Sequence, residues 1–490
     1  MMRHTARQAA LRTAILRILW CEPFWIALLA PSLLFPGRFW VAGLQPLWVL
    51  LLFAFWPLRL LAVRLGGLRT FRSSPLDLAL AAFLAALGVA LAVSPAPASS
   101  WEAAGYLLLG VAAAAALIQW PPAQRRPALV AWILLAVGVA IAAVGPLLLG
   151  SHADKLGLGF LVPGSGSWTG TLDETVNPNV LGGALLVPLL LSLALAVGPR
   201  WSRQPWRWVW AMLFVAFAAE LLLTECRGAW LGAAAGVVVI LLLRWPRSIW
   251  LLLPLGGLTA AVLLSAGGIT LVFDAFGGAA APARGGDGLA DRVVIWQAAV
   301  AAIGRQPLSG LGLGLFGPWV TQHGLLVSTT IPLHAHNLLL QVAADLGLGG
   351  LGAYLAVLLA SGGMLVALLR VRPLHWRRHG RESSRRSSSG PAGTAPAAHP
   401  HSVQHLSPGV VHRLRLHWTL AVGSAGALVA LLVHGLVDAA LWGNKAGALP
   451  WLLIALICLL FLAQQQAPHP TYAQGVRPSR MPPGEDLPRS

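Results

Sequence analysis

The chain has 490 residues, 57% of them hydrophobic and 10% charged, with a mean hydropathy of +0.73. Soluble domains carry about a quarter charged residues, so this composition excludes an ordinary soluble domain and indicates a polytopic membrane protein. The net charge of +18 invites a nucleic-acid partner, but no nucleic-acid motif accompanies it.

A helix needs ~20 apolar residues to cross a bilayer. Runs near that length fall at about 24–36, 40–63, 76–93, 101–119, 127–149, 178–198, 206–224, 229–243, 249–273, 338–369, 416–441 and 446–463, the first and eighth being short. The expected fold is therefore an all-α integral membrane protein of about twelve spans. Residues 1–23 form a basic cytoplasmic N-terminus. It resembles a signal peptide, but the preferred reading is an uncleaved first span led by a basic interfacial helix. Spans one to nine then occupy 24–273, an external loop 274–337, span ten 338–369, spans eleven and twelve 416–463.

With the N-terminus inside, seven of the 34 basic residues fall outside: Arg38, Lys155, Arg227, Arg284, Arg292, Arg305 and Lys445. The positive-inside rule then sets both termini in the cytoplasm and reads the basic charge as orientation. Residues 370–415, rich in Ser, Pro, Gly and His, and the tail 464–490 are expected to be disordered cytoplasmic segments. The histidines between His375 and His417 lie irregularly and make a poor metal site. Cys21, Cys226 and Cys458 sit on or near three different spans, with no disulfide framework or metal-ligand spacing.

Two external segments matter. Gly150 to Val176 is polar and leads into Asn177-Pro178-Asn179, a turn and helix-start signal before span six. In the long loop from Asp274, the string "DRVVIWQAAVAAIGRQP" fits a helix that ends near Pro307 and lies along the outer surface. Arg292 and Trp296, four apart, share one face of it. The following "PLSGLGLGLFGP" lacks the Gly-Lys-Ser/Thr ending of a phosphate-binding loop, so its glycines are read as permitting tight turns.

The ionisable residues that could carry chemistry gather toward the outer side. Arg227 opens span eight, Arg292 lies on the loop helix, and His334 and His336 precede span ten. Such groups are costly beside lipid and mark candidate functional sites. Guanidinium groups suit phosphate oxygens and stay charged, whereas an imidazole exchanges protons near neutral pH. The set suits transfer from a phosphorylated leaving group to an alcohol, with His336 as base and the arginines neutralising the departing diphosphate. His334 faces elsewhere if the chain is extended and is ranked as support. Asn337 is expected to cap span ten. His434 and Asp438, four apart near the end of span eleven, are expected on one helix face, where Asp438 could orient a catalytic side chain. Glu220 in span seven invites the same question. Most of the 22 tryptophans fit an aromatic belt at the span ends.

"HNLLLQVAADLGLGG" resembles the His-Asn, nine residues, Gly-x-x-Gly signature of the O-antigen ligase family, here His336, Asn337, Gly347 and Gly350. "RGAWL", Arg227 to Leu231, resembles that family's Arg-x-x-x-Leu motif, and the loop string with Arg292 resembles its external-loop motif. The likeness extends over roughly residues 175 to 460. It implies a metal- and nucleotide-independent, inverting membrane glycosyltransferase of the GT-C type, with no cofactor. Such an enzyme moves a glycan from undecaprenyl diphosphate to an acceptor hydroxyl, on lipid A core or another surface acceptor, at the outer face of the inner membrane. By the same resemblance His336 is the base, and Arg227 and Arg292 bind the diphosphate. The family also shelters polymerases, protein O-oligosaccharyltransferases and proteins once proposed to carry bicarbonate, and the motifs do not separate these. An anion transporter predicts charged groups near the bilayer midplane, whereas here they crowd toward one face. An inactive partner of a glycan-export assembly predicts silent loop substitutions.

Overall fold

The computed structural model describes residues 13–39, 44–66, 72–148, 176–198, 206–265, 289–325, 334–371 and 408–466. They are all-helical, with no strand among them. Residues 150–175 of the expected external segment, 372–407 of the linker, the tail beyond 466 and the remaining stretches of the long loop lie outside the described residues; residues 408–415, expected in the disordered linker, are instead the first turns of a helix that runs on into the apolar span.

The principal helices are α1 (Thr13–Leu34), α2 (Gln45–Arg64), α3 (Asp77–Ala92), α4 (Pro97–Gln119), α5 (Ala128–Leu148), α6 (Pro178–Ala196) and α7 (Trp206–Leu223). They continue with α8 (Arg227–Arg244), α9 (Ile249–Leu264), α10 (Leu289–Arg305), α11 (Phe316–Gln322), α12 (Leu338–Arg370), α13 (Pro408–Gly435) and α14 (Ala448–Gln465). Ten of these are long and apolar enough to cross a membrane. Every one of the twelve expected spans coincides with a helix, and the two outside that set, α3 and α9, are 16 residues each. At 1.5 Å per residue they reach about 24 Å, short of a ~30 Å hydrocarbon core. The chain is a multi-pass membrane protein.

Helices apolar on all sides form the interior. α4, α6 and α14 are buried along most of their length, while α7 and α9 present large hydrophobics outward. In a lipid setting such burial reports position in the bundle rather than a drive to leave water, and close packing decides which helices touch. The tightest seam is between α8 and α13. Gly228, Gly232 and Gly236 recur every fourth residue on α8. A Cβ at Gly232 would lie 2.5 Å from the Ala430 carbonyl oxygen, and one at Gly236 would lie 2.8 Å from that of Gly426. Only hydrogen fits there. α6 packs beside both helices, and its C-terminal carbonyls receive Arg207 Nε on Ala196 at 3.1 Å and Arg244 Nε on Val197 at 3.0 Å, the favoured placement of cations at that end.

A buried ion pair joins the first two helices. Arg59 on α2 donates to Glu22 Oε2 of α1, with Nε at 3.0 Å.

Candidate functional site

The site is assembled at the start of α12. Asn337 is its N-cap, and its side-chain oxygen accepts from Leu339 N at 3.0 Å and Leu340 N at 3.1 Å. Its Nδ2 donates to the Leu436 carbonyl at 2.9 Å, so one side chain begins α12 and ties it to the end of α13.

α12 is not continuous. Gly347, the first glycine of the Gly-x-x-Gly pair, has φ +72° and ψ −179° and breaks the helix, a conformation open to glycine but costly for other residues. The break frees carbonyls, and the glycine-rich loop takes them: Leu311 N donates to Ala344 O at 2.7 Å and Gly312 N to Asp345 O at 3.2 Å. Leu348 N in turn donates to Pro307 O at 2.7 Å. Gly310, Gly312 and Gly314 all have positive φ, so the glycines turn the loop over the break, as their composition implied.

Trp296 on α10 donates to the His336 carbonyl at 3.3 Å. The Arg292 face of that helix therefore looks onto the turn before α12. The expectation that His334 faces elsewhere is corrected, because residues two apart lie on the same side even of an extended chain. His336 has φ +45°, and the two imidazoles meet with centroids 4.3 Å apart.

Both rings face Asp438, with His334 Nε2 3.8 Å from Oδ1 and His336 Nδ1 3.6 Å from Oδ2. Asn179 Nδ2 donates to Oδ2 at 2.7 Å. Asp438 is 2% exposed. Burial opposes its ionisation, but the nearby imidazoles of His336, His334 and His434 outweigh it and hold the carboxyl below its ordinary range. The expectation that His434 and Asp438 share a helix face is also corrected: α13 ends at Gly435, and Asp438 lies in the non-helical segment that follows. The glycines and asparagine of "GNKAG" provide turns in place of further helix. The Asp438 N–H still bonds the His434 carbonyl at 2.9 Å, which keeps the two neighbours. The His434 ring is wedged between helices, close to the Cβ position of Gly228 on α8 and of Gly183 on α6, each 3.1 Å away. Arg292 acts electrostatically on it.

The described structure thus brings His334, His336, Asn337, His434, Asp438 and Arg292 into one neighbourhood. Arg227, half-buried at the first position of α8, borders it through Gly228. His336 Nδ1, Asp438 Oδ1 and Arg292 Nε are buried and make no hydrogen bond among the described residues. The ligand atoms of His334, His336 and Asp438 lie within 4.8 Å of one another, close enough to be considered for a metal ion. Beside Asp438 opens an apolar cleft lined by Leu338, Tyr354, Leu358, Leu428 and Leu432.

Residues 211–355 match the family model described as O-antigen ligase. The chain carries an O-antigen ligase domain. The matched segment contains all three motifs, from Arg227 through Arg292 to the His-Asn and Gly-x-x-Gly residues, and its function is of the O-antigen ligase type. His434, Asp438 and Asn179 come from outside the matched segment and join the same cluster from α13, its following turn and α6. No curated protein matches the chain. Asn179, Gln341, Asp345 and Trp442 were missed by sequence reasoning. For Gln341 and Asp345 the signal was present, as two polar residues four apart in an apolar run.

Proposed function

We propose that this protein transfers a glycan from undecaprenyl diphosphate to an acceptor hydroxyl at the outer face of the inner membrane, with both termini cytoplasmic. The observation that carries the reading is the clustering of His336, Asp438 and Arg292, with buried polar atoms that make no hydrogen bond among the described residues, in a chain with an O-antigen ligase domain.

The acceptor oxygen attacks the anomeric carbon, the bond from that carbon to the diphosphate breaks, and the diphosphate leaves with the bonding electrons on the opposite face, inverting the configuration. His336 accepts the hydroxyl proton. Its Nδ1 faces Asp438, which favours the tautomer protonated at Nδ1 and leaves Nε2 as the base. Asp438 stabilises the imidazolium that forms. Arg292 and Arg227 bind the diphosphate and neutralise the charge that develops on it, work that many enzymes assign to a metal ion. The polyprenyl tail lies along the apolar cleft beside Asp438.

The test is a reconstituted assay with lipid-linked donor and separate lipid and glycan acceptors. His336→Ala is expected to lower transfer by about 100- to 10,000-fold, the usual range for a general base. Undiminished transfer removes His336 as the base, and transfer confined to a growing glycan reassigns the same site to polymerisation.

A further inference from the structure

Three pieces of chain meet at the site: the 334–337 turn, the segment after α13 and the glycine-rich loop. One buried residue reaches the supports of all three, two of them through its carboxylate and the loop through its main-chain carbonyl. Asp345, 1% exposed, accepts from Gln341 Nε2 at Oδ1 over 3.0 Å and from Trp442 Nε1 at Oδ2 over 2.8 Å. Gln341 Oε1 accepts the Ala335 N–H at 2.6 Å, between the two histidines. A backbone N–H can only donate, so this bond sets the Gln341 amide with Nε2 toward Asp345. Trp442 stands four residues beyond Asp438, and the Asp345 carbonyl receives Gly312.

The geometry points to Asp345 as a positioning residue for the transfer site. Through Gln341 it holds Ala335, and with it both imidazoles; through Trp442 it holds the turn that carries Asp438. One carboxylate thereby sets the separation of His336 from Asp438 without touching the reacting atoms. The inference rests on the proposed role of His336. Asparagine is the informative replacement because it keeps the shape yet accepts through one oxygen only. Its amide then faces a donor, and either Gln341 or Trp442 is released.

The test uses the full chain in lipid nanodiscs, measured by hydrogen–deuterium exchange and by transfer kinetics. In Asp345→Asn, exchange at 335–337 and at 438–442 is expected to rise roughly tenfold while the other helices stay protected, the pattern of a local opening. Its kcat is expected to fall about 100-fold, as when a catalytic group shifts by about an ångström, with donor KM within about twofold. Gln341→Leu loosens only the first segment and Trp442→Phe only the second. Unchanged exchange in both segments, or a uniform rise across all helices, overturns the assignment. Should Asp345→Asn fail to fold, the two selective patterns decide, and their absence overturns it equally. A His336→Ala control that transfers at the wild-type rate sinks the proposed base, while the exchange pattern still judges Asp345.

Discussion

Asn179 Nδ2 meets Asp438 Oδ2 at 2.7 Å, so a residue in the first turn of α6 and one just past α13 share a hydrogen bond across 259 residues of sequence. Asn177 caps α6 by accepting from Asn179 N at 2.8 Å, which holds Asn179 in place. The Asn-Pro-Asn string is thus both a helix start and a support for the site carboxylate.

Asp438→Asn is expected to lower transfer and move the acid limb of its pH profile to lower pH, because removing the anion withdraws support for a protonated imidazole. The sign for stability runs oppositely. The Asp438 carboxyl is held below its ordinary range, so the folded state binds fewer protons than the unfolded one, whose value is ~3.9. Its contribution is full above that value and is lost as pH falls through the folded one. Between pH 5 and 8, wild-type melting should show no step from Asp438, and pH-dependent thermal unfolding against Asp438→Asn measures this.

Arg292→Lys is expected to weaken donor use although it keeps the charge, since an ammonium cannot present the planar fork that a diphosphate engages. Steady-state kinetics at varied donor should show a fall in kcat/KM of about tenfold or more, a loss of at least ~1.4 kcal/mol of transition-state binding. Equal kinetics for the two cations refutes bidentate engagement by Arg292.

Chelation with EDTA is expected to leave transfer unchanged, because the arginines supply the positive charge. If transfer is lost and zinc restores it, His334, His336 and Asp438, with ligand atoms within 4.8 Å, act instead as metal ligands.

Gly232→Leu on the α8–α13 seam is expected to lower the melting temperature in detergent strongly, since its Cβ would lie 2.5 Å from a backbone oxygen. Overpacking of this kind costs about 1–3 kcal/mol. Gly256→Leu on α9, where nothing lies within 4 Å, is the matched control and should leave melting nearly unchanged. Similar melting in the two variants argues against a close helix seam.

Much of the fold was legible because apolar length is a strong signal: a bilayer forces helices to satisfy their own backbone, and all twelve runs became helices. Arg227, His336 and Asn337 were legible as polar residues at the edges of such runs, and Arg292 as a cation on the loop helix. The turn at His336 was not, because a left-handed histidine has no mark in composition. Neither was the end of α13 at Gly435, which turned a presumed helix-face pair into a helix residue and a loop carboxylate.

The all-α membrane class and the ligase motifs follow from local pattern, since hydropathy and spacing are carried by neighbours along the chain. Which groups face one another was settled by packing. Asn179 meets Asp438, and Trp442 meets Asp345, only after the glycines of α8 admit α13 and the break at Gly347 admits the loop, and such contacts between distant residues leave no periodicity to read.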